Sequence, residues 1–324
     1  MRRRALLAAV ASALFPLRLG AQSAAIPRIG FLDPSPASSS RERVEQFRDG
    51  LKRLGYQEKR DYLLEYRSAE GRFEILPDLA AELVRLPVRV MVVRNTPGTA
   101  AARAATTAIP IVMADVGDPL ALGFVKTMSR PGANITGLSN STLELIRKRL
   151  EVLRELLPAL KRVAVMSNSG DANTPLQLAE VAQAAKSLRL ETRVFDARSL
   201  EALPSMLAQV RAWRPEGVLP LVQPLRPAMT PSIVEWSLRE RIPVIFAAYD
   251  DARAGGLISY AADLSDQYLR VALYVDRLLK GANAAELPVE RPTRLVLSIN
   301  LKTARAIGVD VPRTLLVRAD EVIQ

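Results

Sequence analysis

The chain has 324 residues, room for two domains of ordinary size, and its 49% hydrophobic and 24% charged content excludes a disordered chain. It has no Cys and no His, which excludes Ser–His–Asp and Cys–His nucleophilic systems, His/Cys zinc sites and haem–His ligation, and makes binding a better expectation than catalysis. The formal net charge of +11 is spread out and lacks the basic stripe and recognition module of a nucleic-acid binder, so no nucleic-acid partner is expected.

The first 21 residues read as a secretory signal peptide. Met1-Arg2-Arg3-Arg4 is a basic start, Ala5 to Leu19 is an apolar run broken by Pro16 and Arg18, and Leu19-Gly20-Ala21 is a small-residue cleavage site before Gln22. The run falls short of the ~20 residues a membrane span needs, and no Cys offers a lipid attachment point. The arginine cluster also fits twin-arginine export. Cleavage after Ala21 removes four of the 45 basic residues, leaving 41 against 34 acids. The expectation is a soluble, exported, periplasmic protein. Arg147, Lys148 and Arg149 alternate with Glu144, Glu151 and Glu155 on one helix, which reads as a salt-bridged solvent face.

Next comes an alternation of short apolar strands and amphipathic helices. Arg28 to Leu32 is a strand, followed by a Pro/Ser loop from Asp33 to Ser40. Val44, Phe47, Leu51 and Leu54 share one face of a helix that stops at Gly55. Tyr62 to Tyr66 is a strand, Leu76 to Val84 a helix and Val88 to Val93 a buried strand. A loop follows from Arg94 to Gly98, then an Ala-rich helix, the strand Ile111 to Met113, the loop Ala114 to Pro119 and the strand Ile135 to Leu138.

A second run begins at Ser141-Thr142-Leu143-Glu144, a capping-box pattern whose helix buries Ile146, Leu150, Leu153 and Leu157. Then come strand Arg162 to Ser167, a helix with Thr174 as N-cap and Pro175 in its first turn, and strand Thr192 to Phe195. Helix Leu200 to Trp213, strand Val218 to Val222, helix Thr230 to Glu240 and strand Pro243 to Ala247 complete it. The tail adds a helix with Leu264, Tyr268, Val271, Val275 and Leu278 on one face, a strand from Arg294 to Ile299 and a short helix from Leu301. This βαβ repetition predicts an α/β fold of two lobes, each a doubly wound parallel sheet, with a tail too short to be a domain completing them.

In open α/β sheets ligands bind outside the carboxyl ends of the strands. That rule selects Asp33, Ser35, Asn95, Thr96 and Asp118 in the first lobe and Asn168, Gln223, Tyr249 and Asp250 in the second. Their polar side chains suit a small polar ligand, although the same residue types favour turns and caps with no ligand present. Arg94 directly follows an apolar strand, where a guanidinium can meet a ligand carboxylate or simply face solvent. Asp115 and Asp118 read as a carboxylate pair, as ligands for a hard cation, or as loop caps. Phe31, Tyr249 and Tyr260 lie near strand ends; Phe31 belongs to the core rather than to a stacking site. There is no P-loop signature and no G-x-G-x-x-G after a strand, and no cofactor or metal is expected.

Several segments together are distinctive. They include Arg28-Ile29-Gly30-Phe31-Leu32, Phe47-Arg48-Asp49-Gly50-Leu51, Ala104 to Val112, Gly117-Asp118-Pro119 and Ser129-Arg130-Pro131-Gly132-Ala133-Asn134-Ile135-Thr136-Gly137. Gly255 to Tyr260, Tyr274 to Gly281, Leu287 to Glu290, Ile299 to Ala304 and Leu316 to Ile323 continue the match. With these the chain resembles, end to end, the tryptophan/tyrosine-type family of ABC transporter substrate-binding proteins, which has the type I periplasmic binding protein fold. The resemblance implies two lobes joined by a three-crossover hinge: an N-terminal lobe of 26–138 plus about 263–290 and a C-terminal lobe of 139–262 plus about 291–324. It implies a monomer that clamps a small molecule, such as an amino acid, and delivers it to an inner-membrane ABC permease with its cytoplasmic ATPase. It places pocket residues at Thr96, Asp118 and Asn168 in particular. Ser169 stands where the family often has Pro, Ala261-Ala262 where it often has Gly-Pro, and Arg94 where a small residue is expected. These departures fall near the cleft, so an aromatic amino acid is not implied as the ligand. A sensor that presents its closed form to a receptor, and an exported enzyme using Asp118 or Asp250, are the alternatives.

Overall fold

A computed structural model describes residues 26–263 and 266–324. The signal segment 1–21 lies outside the described residues, and so does Leu264 of the tail-helix face.

The first sheet is built from β1 (Arg28–Asp33), β2 (Leu63–Ser68), β3 (Val90–Arg94), β4 (Ile111–Val116) and β5 (Ile135–Ser139), all parallel in the order β2-β1-β3-β4-β5. A parallel strand covered on both faces must be apolar throughout, and β3 is buried along its whole length. Its alternate residues serve two cores. Val90 and Val92 face Ile29, Phe31 and Phe47 of α1 (Ala37–Arg53), while Met91 and Val93 face Leu83 of α2 (Leu76–Arg85) and Ala102 of α3 (Asn95–Ala105).

The second lobe has β6 (Arg162–Ser167), β7 (Glu191–Asp196) and β8 (Gly217–Pro220) in the order β7-β6-β8. A parallel bridge between Val218 and Val244 joins them to β9 (Ile245–Phe246) and β10 (Ile258–Ala262), then to β11 (Leu295–Asn300) and β12 (Glu321–Ile323). The β10–β11 pair is antiparallel, a departure from the all-parallel expectation. Helices α4 (Thr142–Leu156) and α5 (Thr174–Leu188) cover one face; α6 (Leu203–Trp213) and α7 (Arg226–Glu240) cover the other.

The tail helix α8 (Gln267–Leu279) packs back on the first sheet, with Tyr268, Val271 and Val275 in the core beside Phe47 and Leu51. The chain then returns through β11 to α9 (Leu301–Ile307) and α10 (Arg313–Arg318) in the second core. Three strands of chain therefore pass between lobes: after β5, before α8 and before β11.

Three sequence expectations change. Arg94 ends β3, and residues 95–98 open α3 instead of forming a loop. The capping box at Ser141 is not used: Ser141 is left-handed (φ +52), and the Oδ1 of Asn140 accepts the Thr142 N–H at 3.0 Å. Helix α7 begins at Arg226, four residues before the predicted start, because Pro227 is tolerated in the first turn.

The return of the tail depends on one close approach. Gly50 on α1 faces α8 so tightly that an added Cβ would lie 2.7 Å from Cβ of Ala272 and 3.1 Å from the Leu269 Cα. Gly50→Val should push α1 and α8 apart and lower stability by about 1–3 kcal/mol in urea denaturation; an unchanged midpoint would show that the helices separate freely.

Candidate functional site

Strand ends of both lobes converge on a partly open cavity of about 70 Å³. A larger open groove of about 670 Å³ lies on the outer face between α6 and α7, away from the strand ends.

The floor of the cavity is an ion pair. Arg94 is 1% exposed, and its Nη1 donates to both carboxylate oxygens of Asp33 at 2.9 and 2.8 Å and also to Ser40 on α1. Its Nε donates to the Tyr268 hydroxyl on α8 at 2.8 Å. Asp33 also accepts the Ser35 N–H at 2.9 Å and the Tyr66 hydroxyl at 3.2 Å. Burial alone would pull the Arg94 pKa down, but Asp33, Tyr268 and Asp115 outweigh it and hold it above its usual value. The solvent-facing reading of Arg94 is therefore corrected: its fork is committed to Asp33 and Tyr268.

Two residues beside it carry strained backbones. Asn95 has φ +56 and Asp115 φ +62, in the left-handed region that Asn and Asp tolerate better than most. Asp115 sits in the irregularity where the β4–β5 register shifts between Met113 and Val116. Only glycine fits opposite it: a Cβ on Gly137 would lie 2.2 Å from the Met113 carbonyl oxygen. Both Asn95 and Asp115 line the cavity, and Asp115 Oδ1 accepts Asn140 Nδ2 at 2.9 Å.

The wall from the second lobe carries two arginines. Arg226, at the start of α7, pairs with Asp251 at 2.5 Å. Burial lowers its pKa, but Asp251, Asp250 and Asp115 together raise it. Arg149, on α4, is 2% exposed and donates from Nε to the Tyr260 carbonyl at 2.8 Å. Burial, with the neighbouring charge of Arg226, pulls its pKa down to about 10. On the α8 side, Gln267 Nε2 is a buried donor without a partner among the described residues.

Of the ten residues expected from sequence, Arg94, Asn95, Gln223, Tyr249 and Asp250 line this cavity together. Asp33 lies behind it as the Arg94 partner. Ser35 lies at the lobe junction, its Oγ donating to the Pro224 carbonyl of the other lobe at 2.9 Å. Thr96 is buried in the first turn of α3 and is not part of the lining. Asp118 borders a separate depression of about 10 Å³, where Oδ1 accepts the N–H groups of Leu120 and Ala121 at 3.0 and 2.9 Å as a turn cap. Asn168 is fully buried and organises its own loop: Oδ1 accepts the Gly170 N–H at 2.9 Å, and Nδ2 donates to Gln223 at 3.2 Å. Asp115 and Asp118 thus point to different places and form no shared cation site.

Arg149, Arg226 and Gln267 were not among the expected residues. The charged neighbours of Arg149 point to a solvent face, and a helix expected to start at Thr230 leaves Arg226 outside it. The only signal for Arg149 was its place four residues after Leu145 and one before Leu150, on the edge of the apolar stripe.

The lobes meet beyond the cavity as well. A Cβ on Gly71 would lie 2.8 Å from Leu225, and one on Gly117 would lie 2.3 Å from Asn173 Nδ2. Next to that contact, Asp171 is 4% exposed; burial lifts its carboxyl to about 6, Asp115 adds to the rise, and the Asn173 N–H at 2.9 Å opposes it.

Residues 35–323 match the ABC transporter substrate binding protein family. The chain belongs to that family. A curated relative, the tyrosine-binding protein of Clostridioides difficile, is 23% identical over 265 residues, spanning 81% of this chain and 75% of the relative. A conserved domain protein of Vibrio cholerae superposes with a TM-score of 0.85 at 25% identity, covering 92% of this chain and 99% of that one. An ABC domain from Streptococcus pneumonia in complex with L-Trp gives 0.83 at 24% identity with the same coverage. The fold of this substrate-binding protein is that of the type I periplasmic binding proteins, and the family's role is solute capture for an ABC transporter; it is not an enzyme family.

Arg94→Leu should leave Asp33 buried without its counter-ion and cost about 3–5 kcal/mol in chemical denaturation; a loss below about 1 kcal/mol would mean the pair does not hold the floor. Asp171 gives a pH signature. Its folded pKa lies above the unfolded value of 3.8, so the folded state keeps a proton that the unfolded state releases between about pH 4 and 6, and stability falls as pH rises through that window. Asp171→Asn should remove that slope and raise stability at pH 7 by up to about 3 kcal/mol, read from thermal melts across pH 4–7.

Proposed function

We propose that this substrate-binding protein is exported to the periplasm by its first 21 residues, acts as a monomer and captures a small polar molecule between its lobes without catalysis, for delivery to an inner-membrane ABC permease and its ATPase. The moving units are 26–138 with about 263–290, and 139–262 with about 291–324. Asn95, Asp115, Arg149, Gln223, Tyr249, Asp250 and Gln267 are the ligand-facing set; Asp33, Arg94, Ser35 and Asn168 hold that set in place.

The observation that carries this reading is the interlobe cavity, lined by polar and charged side chains of both lobes, with Gln267 Nε2 buried there without a partner among the described residues. An open cleft would hydrate these groups, whereas a closed one must replace that water with ligand. Closure brings Ser35 to Pro224 and buries the carbonyl. The names of the tyrosine-binding relative and the L-Trp complex support an amino acid or similar metabolite as cargo class.

The test is a thermal-shift screen on protein purified from a periplasmic extract, using amino acids, sugars, nucleobases and small carboxylates. A ligand at 100 times its dissociation constant should raise the midpoint by roughly 5–10 °C. Ser35→Ala should weaken that ligand about 3- to 10-fold, the worth of one lost hydrogen bond formed only on closure, with little change in the ligand-free midpoint. No shift with any class, and no compound released on denaturation, would overturn the reading.

A further inference from the structure

The three buried arginines of the cleft are not equivalent. Arg94 has Asp33 and Arg226 has Asp251, but Arg149 has no carboxylate partner among the described residues. Only its Nε is committed, to the Tyr260 carbonyl, and the side chain lines the cavity. A guanidinium stays protonated in a protein, and although Asp115 and Asp250 line the same cavity, no carboxylate among the described residues pairs with this one. Burying such a charge costs several kcal/mol unless a counter-ion is supplied. Gln267 lines the same cavity from α8, and its Nε2 is a second donor without an acceptor among the described residues.

We propose that the cargo is a small, non-aromatic organic anion whose carboxylate accepts hydrogen bonds from Arg149 and Gln267, one from each lobe. The idea rests on the cleft being the ligand site. A carboxylate matches the fork geometry of a guanidinium and supplies the missing counter-charge. Because its two donors belong to different lobes, the anion pulls them together, which couples binding to closure. At the opposite end of the cavity Asp115, with one oxygen bound to Asn140, offers an acceptor to an ammonium or hydroxyl group.

The rings of the lining separate this cargo from an aromatic one. The two aromatic rings of the lining already carry cations: the guanidinium of Arg94 lies over Tyr268 and that of Arg253 over Tyr249, each 6.0 Å from the ring centre. No facing pair of rings is left to sandwich an indole or phenol.

The experiment compares the wild-type chain with Arg149→Gln and Arg149→Lys in thermal shift and titration calorimetry. The probes are lactate, succinate, alanine, glutamate, tryptophan, tyrosine, xylose and myo-inositol, with sodium chloride as ionic-strength control. One or more of the small carboxylates should raise the wild-type midpoint by about 5 °C or more at saturation, with Arg149→Gln losing at least 100-fold in affinity. Arg149→Lys keeps the charge without the fork; it should lose about tenfold and serves as the decisive variant should Arg149→Gln fail to fold. Tighter binding of tryptophan, tyrosine or a neutral sugar, or carboxylate binding that survives both substitutions, would overturn the proposal while leaving solute capture intact. Absence of any shift, with no compound released on denaturation, would overturn both.

Discussion

The cleft is organised around the ion pair of Arg94 and Asp33. Asp33 ends β1 and Arg94 ends β3, neighbours in the sheet. The same guanidinium reaches Ser40 on α1 and Tyr268 on α8, and the same carboxylate reaches Tyr66 on β2. Five elements therefore share one buried charge pair at the carboxyl edge of the first sheet. Two charges in that setting are tolerable only because their hydrogen-bonding capacity is filled from several directions. The pair does for the cleft floor what apolar packing does deeper in the lobe: it fixes where the strand ends stop and which side chains can face the cavity.

Against that satisfied pair, the opposite wall is left incomplete. Arg226 is neutralised by Asp251, while Arg149 and Gln267 keep donors free. A binding protein must make its closed form worth occupying only with cargo present. Under the proposed solute capture, closing without cargo strips Arg149 and Gln267 of water and returns nothing. The glycines at 71 and 117, which let the lobes touch, and the Ser35–Pro224 hydrogen bond add contacts between the lobes. A small free-energy difference between open and closed forms then suffices for the ligand to decide the population.

The alternation of strands and helices was legible because period-2 and period-3.6 patterns are local. Val44, Phe47 and Leu51 fall on one face of α1, and the apolar run of β3 announces a strand buried on both sides. The general location of the site was legible too, since strand ends follow from strands. Individual side chains were harder. Thr96 and Asp118 had the right residue type in the right loops, yet one is buried inside the first turn of α3 and the other caps a turn. Arg149 reads as part of a solvated charged face, but it lies where α4 meets β10 and is buried there against the Tyr260 carbonyl.

What the sequence determined by itself is the class of fold and the family, because both rest on patterns and segments repeated along the whole chain. The absence of Cys and His likewise bounded the chemistry before any coordinate was known. What only the tertiary structure decided is which charges are paired. Asp33 and Arg94 are 61 residues apart, Arg226 and Asp251 are 25 apart, and Arg149 meets the Tyr260 carbonyl across 111 residues. Pairing depends on distances of about 3 Å between groups that the chain brings together only after both sheets and the returning tail have packed. A sequence states that a guanidinium is present; only the packed lobes state whether it already has a counter-ion.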